Sequence, residues 1–130
     1  MNRRNFSVIA FIALFISLFA APLVSHADEK TPEGELRVGM EAGYAPFNWT
    51  QNNDRNGAVQ IQGDKSYAGG YDVQMAKKIA EKMNRKLVIV KTEWDGLLPA
   101  LQSGKIDAII AGMSPTAERS KEIDFSDPYY

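Results

Sequence analysis

Segments with the pattern of strands and of helices alternate along the chain, and this alternation limits the possible folds more than any other feature of the sequence. Residues 36–40 alternate between apolar and other side chains, as a short strand does. Residues 87–90 form a continuous apolar run, which is typical of a strand buried on both faces of a parallel sheet. Residues 106–110 and 123–126 are predicted as two further strands. The sheet is therefore expected to combine strands that are far apart in the sequence.

Helices are predicted between these strands. Asp72 can cap a helix whose apolar positions recur with a period of 3.6 residues, namely Val73, Ala76, Ile79, Ala80 and Met83. Asp95 can cap a second helix that ends at Gly104, and a short charged helix is predicted to open at 114–116. Residues 51–68 are rich in Asn, Asp, Gly and Gln and predict a loop with a hairpin. This order predicts the α/β fold class, with an open, mostly parallel sheet flanked by helices.

The N-terminus has the pattern of an export signal. Arg3 and Arg4 precede an apolar stretch at 8–24, and small residues follow up to Ala27. We expect residues 1–27 to be a cleaved signal peptide, and the alternative is a retained transmembrane anchor. No Cys follows the apolar stretch, so the chain is not expected to be a lipoprotein. The predicted location is periplasmic or otherwise extracytoplasmic.

Composition excludes several classes of function. The chain has no Cys, and its one His, His26, lies inside the predicted signal. The expected mature chain therefore lacks thiolate and imidazole groups, which excludes the usual serine triads and the usual zinc sites. With 15 basic and 16 acidic residues, the chain shows no basic excess that would indicate nucleic-acid binding. No cofactor or metal is predicted.

The ends of the predicted strands carry the residues best suited to bind a small molecule. In open α/β sheets, ligands bind beyond the carboxyl ends of the strands. Glu41 and Tyr44 follow the first predicted strand, Trp94 follows the second, and Gly112 and Ser114 follow the third. An acid, two large aromatic residues and a glycine–serine turn are therefore expected to converge at one edge of the sheet.

Several segments occur in the order found in one family. The chain resembles the N-terminal part of periplasmic solute-binding proteins of the polar amino-acid class, the receptors of ABC uptake transporters. The segments that carry this resemblance are 35–47, 70–83, 94–101, 104–108 and 111–130. Gln74 stands where the family typically has an acid, and 51–68 is longer than the usual hairpin. The resemblance implies a type II periplasmic-binding-protein fold and a monomer that captures a polar or basic L-amino acid for a membrane permease, without catalysis.

The resemblance also implies a second lobe, since family members close two lobes around their ligand. Residues 28–130 resemble most of lobe one, with 51–68 as an insertion, and nothing in the chain resembles lobe two. We therefore expect a truncated form, marginally stable and weak in binding on its own. Three alternatives remain open: a dehydratase of the same fold that acts on a prephenate-like acid, a sensor ectodomain, and an exported half-protein that does not bind.

The ligand carboxylate is expected to bind near the end of the chain. The guanidinium of Arg119 offers a planar fork that matches a carboxylate, although a solvated ion pair with Glu118 or Glu122 is the alternative. By resemblance, Arg119 grips the ligand α-carboxylate and Ser114 contacts the same group. Thr116 is assigned equally to ligand contact and to capping of the predicted helix.

The rest of the ligand is expected to contact four residues. By resemblance, the carbonyl of Gly112 accepts from the ligand ammonium group, and Tyr44 and Trp94 enclose the stem of the ligand side chain. Aromatic rings supply apolar area and, for a basic ligand, cation–π attraction. Glu41 lies where the family often has a ligand-facing acid, and its alternative is a solvent-facing carboxylate.

Overall fold

A computed structural model describes residues 33–130. The predicted signal at 1–27 therefore lies outside the described residues. Within 33–130, neither α-helix has the length and the apolar character needed to cross a bilayer.

Strands and helices alternate over the described residues. The elements are β1 (Glu35–Met40), β2 (Gly43–Tyr44), β3 (Asn48–Gln51), β4 (Val59–Gln60), β5 (Tyr67–Gly69), α1 (Tyr71–Lys82), β6 (Lys86–Lys91), α2 (Leu97–Gln102) and β7 (Ala108–Ile109). Short 3-10 turns lie at Arg55–Gly57, Trp94–Gly96 and Arg119–Lys121. The predicted α/β class is confirmed.

A parallel sheet forms the centre of the fold, in the strand order β6-β1-β7. Strand β1 is central because it pairs with both neighbours: Val38 lies opposite Ile89 on one side and opposite Ala108 on the other. Val38 and Ile89 are fully buried, and Leu97 and Ile106 pack into the same core. The parallel arrangement directs the carboxyl ends of all three strands to one edge.

A second, antiparallel sheet has the order β2-β3-β5-β4. Strand β4 lies within the polar segment 51–68, where one arm of a hairpin is predicted, and it pairs antiparallel with β5. Ile61 is buried and bridges to Ile89 of β6 in parallel, so it joins the hairpin to the central sheet. The segment 51–68 is therefore part of the packed fold and not a free loop.

The predicted helix caps are wrong for both aspartates. Helix α1 begins at Tyr71, with Gly70 at the cap position and no side-chain cap. The first amides of α1 are satisfied by backbone, since the N–H groups of Tyr71 and Asp72 donate to the carbonyls of Pro46 and Phe47 at 3.2 and 2.8 Å. Asp72 lies inside the first turn and points into the core. Asp95 lies within the 3-10 turn that precedes α2, and Gly96 occupies the cap position.

Four strand and helix predictions are also wrong, one in burial and three in extent or type. Only Ile89 of the run 87–90 is fully buried, because β6 lies at the edge of the three-stranded sheet. The strand predicted at 106–110 is limited to the two residues of β7, and 123–126 forms no strand, since none of the described strands pairs with it. The helix predicted to open at 114–116 is a single 3-10 turn.

An ion pair ties the start of β1 to the residue that precedes β7. The Arg37 guanidinium donates to both Asp107 oxygens at 2.8 and 3.1 Å, and the Arg37 backbone N–H donates to the same carboxylate at 2.8 Å. The Asp107 backbone N–H returns a bond to the Arg37 carbonyl at 2.8 Å. Hydrogen bonds from the Arg37 side chain and backbone hold the pKa of the Asp107 carboxyl below its ordinary value of 3.8.

Asp107→Asn is expected to lower stability at pH 7 and to have less effect in acid. A carboxylate with a lowered pKa stabilises the folded state above its ordinary pKa, and this contribution is lost as the pH falls through the folded value. The difference between wild type and variant should therefore shrink as the pH falls below 3.8. Urea unfolding across pH 2–8 measures it, with the exposed loop variant Asp54→Asn as control. An equal difference at every pH would contradict this account.

Candidate functional site

The carboxyl ends of the three parallel strands meet in one cleft of about 290 Å³. Glu41 directly follows β1, Trp94 follows β6 after two residues, and Gly112 follows β7 after two residues. The cleft is lined by Glu41, Gly43, Tyr44, Trp94, Ala111 and Gly112. The structure thus brings together four of the seven residues selected from the sequence.

Tyr44 and Gly112 are in direct contact. A Cβ atom added to Gly112 would lie 3.0 Å from Cε1 of Tyr44, and Gly112 has a φ of +65°. Both the left-handed backbone and the close ring favour glycine here. The Tyr44 ring is 52% exposed and stacks on Phe47 with the ring centroids 5.2 Å apart. Its outer face is therefore available to a ligand.

Arg119 lies against Trp94 beside the cleft. Its Cζ atom is 5.5 Å from the centroid of the indole ring, within the range of a cation–π contact. Its Nη1 group donates to the carbonyl of Ser114 at 2.9 Å. Among residues 33–130, no carboxylate forms an ion pair with Arg119, so the predicted alternative of a pair with Glu118 or Glu122 is not found. The Arg119 guanidinium therefore keeps N–H groups that can donate hydrogen bonds to a ligand anion.

Ser114 and Thr116 do not line the cleft. Ser114 contributes its backbone carbonyl to Arg119, and not its hydroxyl to the cleft. Thr116 accepts the Arg119 backbone N–H at its Oγ1 atom, at 3.1 Å, while Glu118 occupies the cap position of the 3-10 turn Arg119–Lys121 without a side-chain cap bond. Thr116 therefore bonds to the backbone of Arg119 from outside the turn. Both residues therefore hold Arg119 in position.

Sequence reasoning missed a buried polar network at the first turn of α1. Asp72 is fully buried and accepts from Asn48 Nδ2 at 2.8 Å and from the Tyr129 hydroxyl at 2.6 Å. Burial raises the pKa of the Tyr129 hydroxyl, and the hydrogen bond to Asp72 raises it further. A signal was present in the sequence, because Asp72 precedes Ala76 by four residues and so shares the apolar face of α1.

Across the part of the chain that the structure describes, no three Asp or Glu residues cluster closely enough to hold an ion. The cleft instead combines one carboxylate, one adjacent guanidinium and two aromatic rings. Such a set can bind a small molecule that carries both an anionic and a cationic group.

Residues 36–130 match the sequence profile of the bacterial extracellular solute-binding proteins, family 3. The chain belongs to this family. A probable histidine-binding protein of Campylobacter jejuni is 36% identical over 127 residues, which cover 93% of this chain and 44% of that protein. The arginine-binding extracellular protein ArtP of Bacillus subtilis is 32% identical over 106 residues, which cover 82% of this chain and 36% of that protein. This family member thus spans less than half the length of these curated relatives.

Solved structures of similar proteins share the fold. The substrate-binding protein of an amino acid ABC transporter is 41% identical with a TM-score of 0.62, over 75% of this chain and 39% of that chain. The arginine-bound form of domain 1 from TmArgBP is 41% identical with a TM-score of 0.60, over 75% and 68% of the two chains. The ancestral amino acid-binding protein AncCDT-1, a precursor of cyclohexadienyl dehydratase, is 44% identical with a TM-score of 0.60, over 75% and 37%.

Proposed function

We propose that this solute-binding chain captures a polar or basic L-amino acid for an ABC importer. One observation carries the proposal: the guanidinium of Arg119 lies against Trp94 at the edge of a cleft that Glu41 also lines. A free amino acid offers a carboxylate and an ammonium group a short distance apart, and a basic amino acid adds a second cation. The cleft supplies a partner for each of these charges.

Each group of the ligand has a proposed partner in this chain. Arg119 binds the α-carboxylate through its free guanidinium donors, and the Gly112 carbonyl accepts from the α-ammonium group. Tyr44 and Trp94 cover the apolar stem of the side chain, and Glu41 attracts its distal charge. A cleft of about 290 Å³ is at the small end of ligand sites, which run from about 300 to 1,000 Å³, and suits a ligand the size of an amino acid.

Two relatives support a basic ligand, since they are named as histidine-binding and arginine-binding proteins. A transporter permease is the proposed partner, because one structural neighbour is the substrate-binding protein of an amino acid ABC transporter. We further propose export through residues 1–27, without a lipid anchor, and action as a monomer. These features together describe a receptor that delivers its ligand to a membrane complex.

We propose that the chain binds its ligand without catalysing a reaction, in preference to the dehydratase alternative. That alternative has one specific support, the likeness to AncCDT-1, described as a precursor of cyclohexadienyl dehydratase. Dehydration needs a placed acid or base, and Glu41 is the one carboxylic acid among the described residues that line this cleft. Glu41 also suits the recognition of a cationic side chain. Ligand binding therefore accounts for the cleft residues without a placed catalytic acid or base.

The proposal is tested by titration of the purified, ¹⁵N-labelled chain with single L-amino acids. Arginine, histidine, cystine and glutamine represent polar ligands, and leucine is the apolar control. Nuclear magnetic resonance detects binding even at millimolar Kd, which suits a chain that resembles one lobe. We expect shifts of the cleft amides with at least one polar ligand and none with leucine. No response to any amino acid would contradict the proposal, and turnover of prephenate would favour the enzyme.

Glu41→Gln is expected to reduce the preference for a cationic side chain. Charge pairs that are partly exposed contribute about 0.2–1 kcal/mol, so the affinity for L-arginine should fall by about 1.4- to fivefold. The affinity for L-citrulline, a neutral isostere of arginine, should stay the same. Glu81→Gln on the exposed side of α1 is the matched control. An equal loss for both ligands would contradict the role assigned to Glu41.

A further inference from the structure

The Tyr44 ring lines the cleft, but no hydrogen bond fixes its orientation. The ring is 52% exposed, and among residues 33–130 no partner is present for its hydroxyl group. An exposed side chain that is oriented by packing alone can occupy several staggered rotamers, and ordering it costs conformational entropy. The neighbours of the ring therefore decide whether it is already placed for a ligand.

Phe47 and Gly112 confine this ring at two places. The Phe47 ring lies against one face of Tyr44, with the centroids 5.2 Å apart and an angle of 24° between the planes. Gly112 lies against two atoms of the same ring, since an added Cβ would be 3.0 Å from Cε1 and 3.2 Å from Cδ1. A stacked pair at this distance is favourable beyond the area that it buries. One face of Tyr44 is thus covered by Phe47, and the opposite face is the one that a ligand can contact.

Phe47 can support the Tyr44 ring because its own position is fixed. Its N–H donates to the Tyr44 carbonyl at 2.9 Å, which closes the turn between the two residues. Its carbonyl accepts from the N–H of Asp72 in the first turn of α1 at 2.8 Å. The Tyr130 ring meets the Phe47 ring nearly at right angles, with the centroids 5.0 Å apart. Phe47 is therefore joined to α1 through its backbone, and its ring is packed between two other rings.

Phe47 does not itself line the cleft, so it can affect a bound ligand only through its neighbours. We propose that Phe47 is a positioning residue for the solute site, because it holds the Tyr44 ring with its free face toward the ligand side chain. This inference rests on the proposed amino-acid binding and deepens it. An aromatic face held in one orientation favours a side chain that ends in a planar cation, a guanidinium or an imidazolium, because such a group stacks on the ring.

The first test needs no ligand and measures the orientation of the Tyr44 ring by NMR. Wild type should show nuclear Overhauser effects between the Tyr44 ring protons and the Gly112 Hα protons, because the two residues are in contact. Phe47→Leu removes the stacked ring and should at least halve these effects, as the Tyr44 ring spreads over further rotamers. Phe47→Tyr keeps a ring at this position and should retain them. A smaller change in Phe47→Leu, or none, would overturn the inference.

A control variant and a check of the core accompany this test. Phe125→Leu removes another half-buried ring, one that pairs with no other aromatic ring within the described range 33–130, and should leave the Overhauser effects unchanged. The amide shifts of the fully buried Val38 and Ile89 report whether each variant keeps its core. Phe47→Met fills a similar volume without a planar face, and it replaces Phe47→Leu where the core shifts are lost.

The second test separates positioning from general stability by a double-mutant cycle in L-arginine binding. Phe47→Leu alone should weaken binding by about two- to tenfold, the range of one aromatic pair. In a Tyr44→Ala background, Phe47→Leu should leave the affinity unchanged, since the ring that it positions is absent. The readout is the ratio of the two weakening factors: a ratio of about two or more supports the inference, and a lower ratio overturns it.

Failure of this inference and failure of the proposed function are distinguishable. A wild-type chain that binds no amino acid would contradict the proposed function, and the ligand-free measurement would still decide whether Phe47 orients Tyr44. A chain that binds L-arginine equally well with and without the Phe47 ring would contradict only the inference.

Discussion

Arg119→Ala is expected to weaken amino-acid binding by about 2–5 kcal/mol, which is more than tenfold in Kd. The loss comes from the ligand carboxylate, which would keep its charge and lose its bidentate partner. The lower end of the range applies where the cleft is open to water, because solvent weakens the charge interaction. Isothermal titration or NMR titration with the tightest-binding amino acid measures the change.

Two further variants define the cause of this loss. Arg55→Ala removes the same charge from the 3-10 turn Arg55–Gly57, outside the cleft, and should leave the affinity unchanged. Arg119→Lys keeps the charge without the planar fork and should fall between wild type and Arg119→Ala. An unchanged Kd in Arg119→Ala would remove the main support for a carboxylate site at this position.

Gly70→Ala is expected to destabilise the fold by about 2–6 kcal/mol. Gly70 has a φ of +121° and a ψ of 178°, a conformation that costs other residues about 1–3 kcal/mol. The added Cβ would also overlap the carbonyl of Phe47 and lie 3.0 Å from the Cα of Asn48. Displacement of a packed backbone adds a further cost of about 1–3 kcal/mol. The start of α1 would have to move away from the turn that holds it.

Gly34→Ala is the matched control, since Gly34 has a φ of +124° and no atom within 4 Å of an added Cβ. It should show the backbone cost alone, about 1–3 kcal/mol. Urea unfolding followed by circular dichroism gives both values, with the slope of the transition as a check on two-state behaviour. Equal losses at the two positions would show that the contact with Phe47 has no energetic importance.

Much of the candidate site follows from local pattern combined with one topological rule. The alternation in 36–40 and the apolar run in 87–90 predicted β1 and β6 to within one residue at each end. Parallel strands then place Glu41, Trp94 and Gly112 at one edge, and the cleft lies there. Each of these residues lies within three positions of the end of its strand, so little of its position depends on the rest of the chain.

The features that were predicted wrongly, the helix cap at Asp72 and the strand at 123–126, each depend on a partner far away in the sequence. Asp72 has the chemistry of a helix cap, but its carboxylate bonds to Tyr129, 57 residues later. The amides it was predicted to satisfy instead meet carbonyls of the turn at Pro46 and Phe47. The apolar residues within 123–126 have strand character without a neighbouring strand among the described elements.

The sequence by itself determined the α/β class, the family and the edge of the sheet where a ligand can bind. These properties depend on periodicity and on motifs a few residues long, which the geometry of the backbone converts directly into strands and helices. Only the tertiary structure decided that Ser114 offers a carbonyl to Arg119, that Thr116 accepts the Arg119 backbone N–H, and that Asp72 is buried against Tyr129. The choice of a hydrogen-bond partner depends on which distant groups meet when α1 and the final residues pack on the sheet, and one sequence pattern is compatible with several such choices.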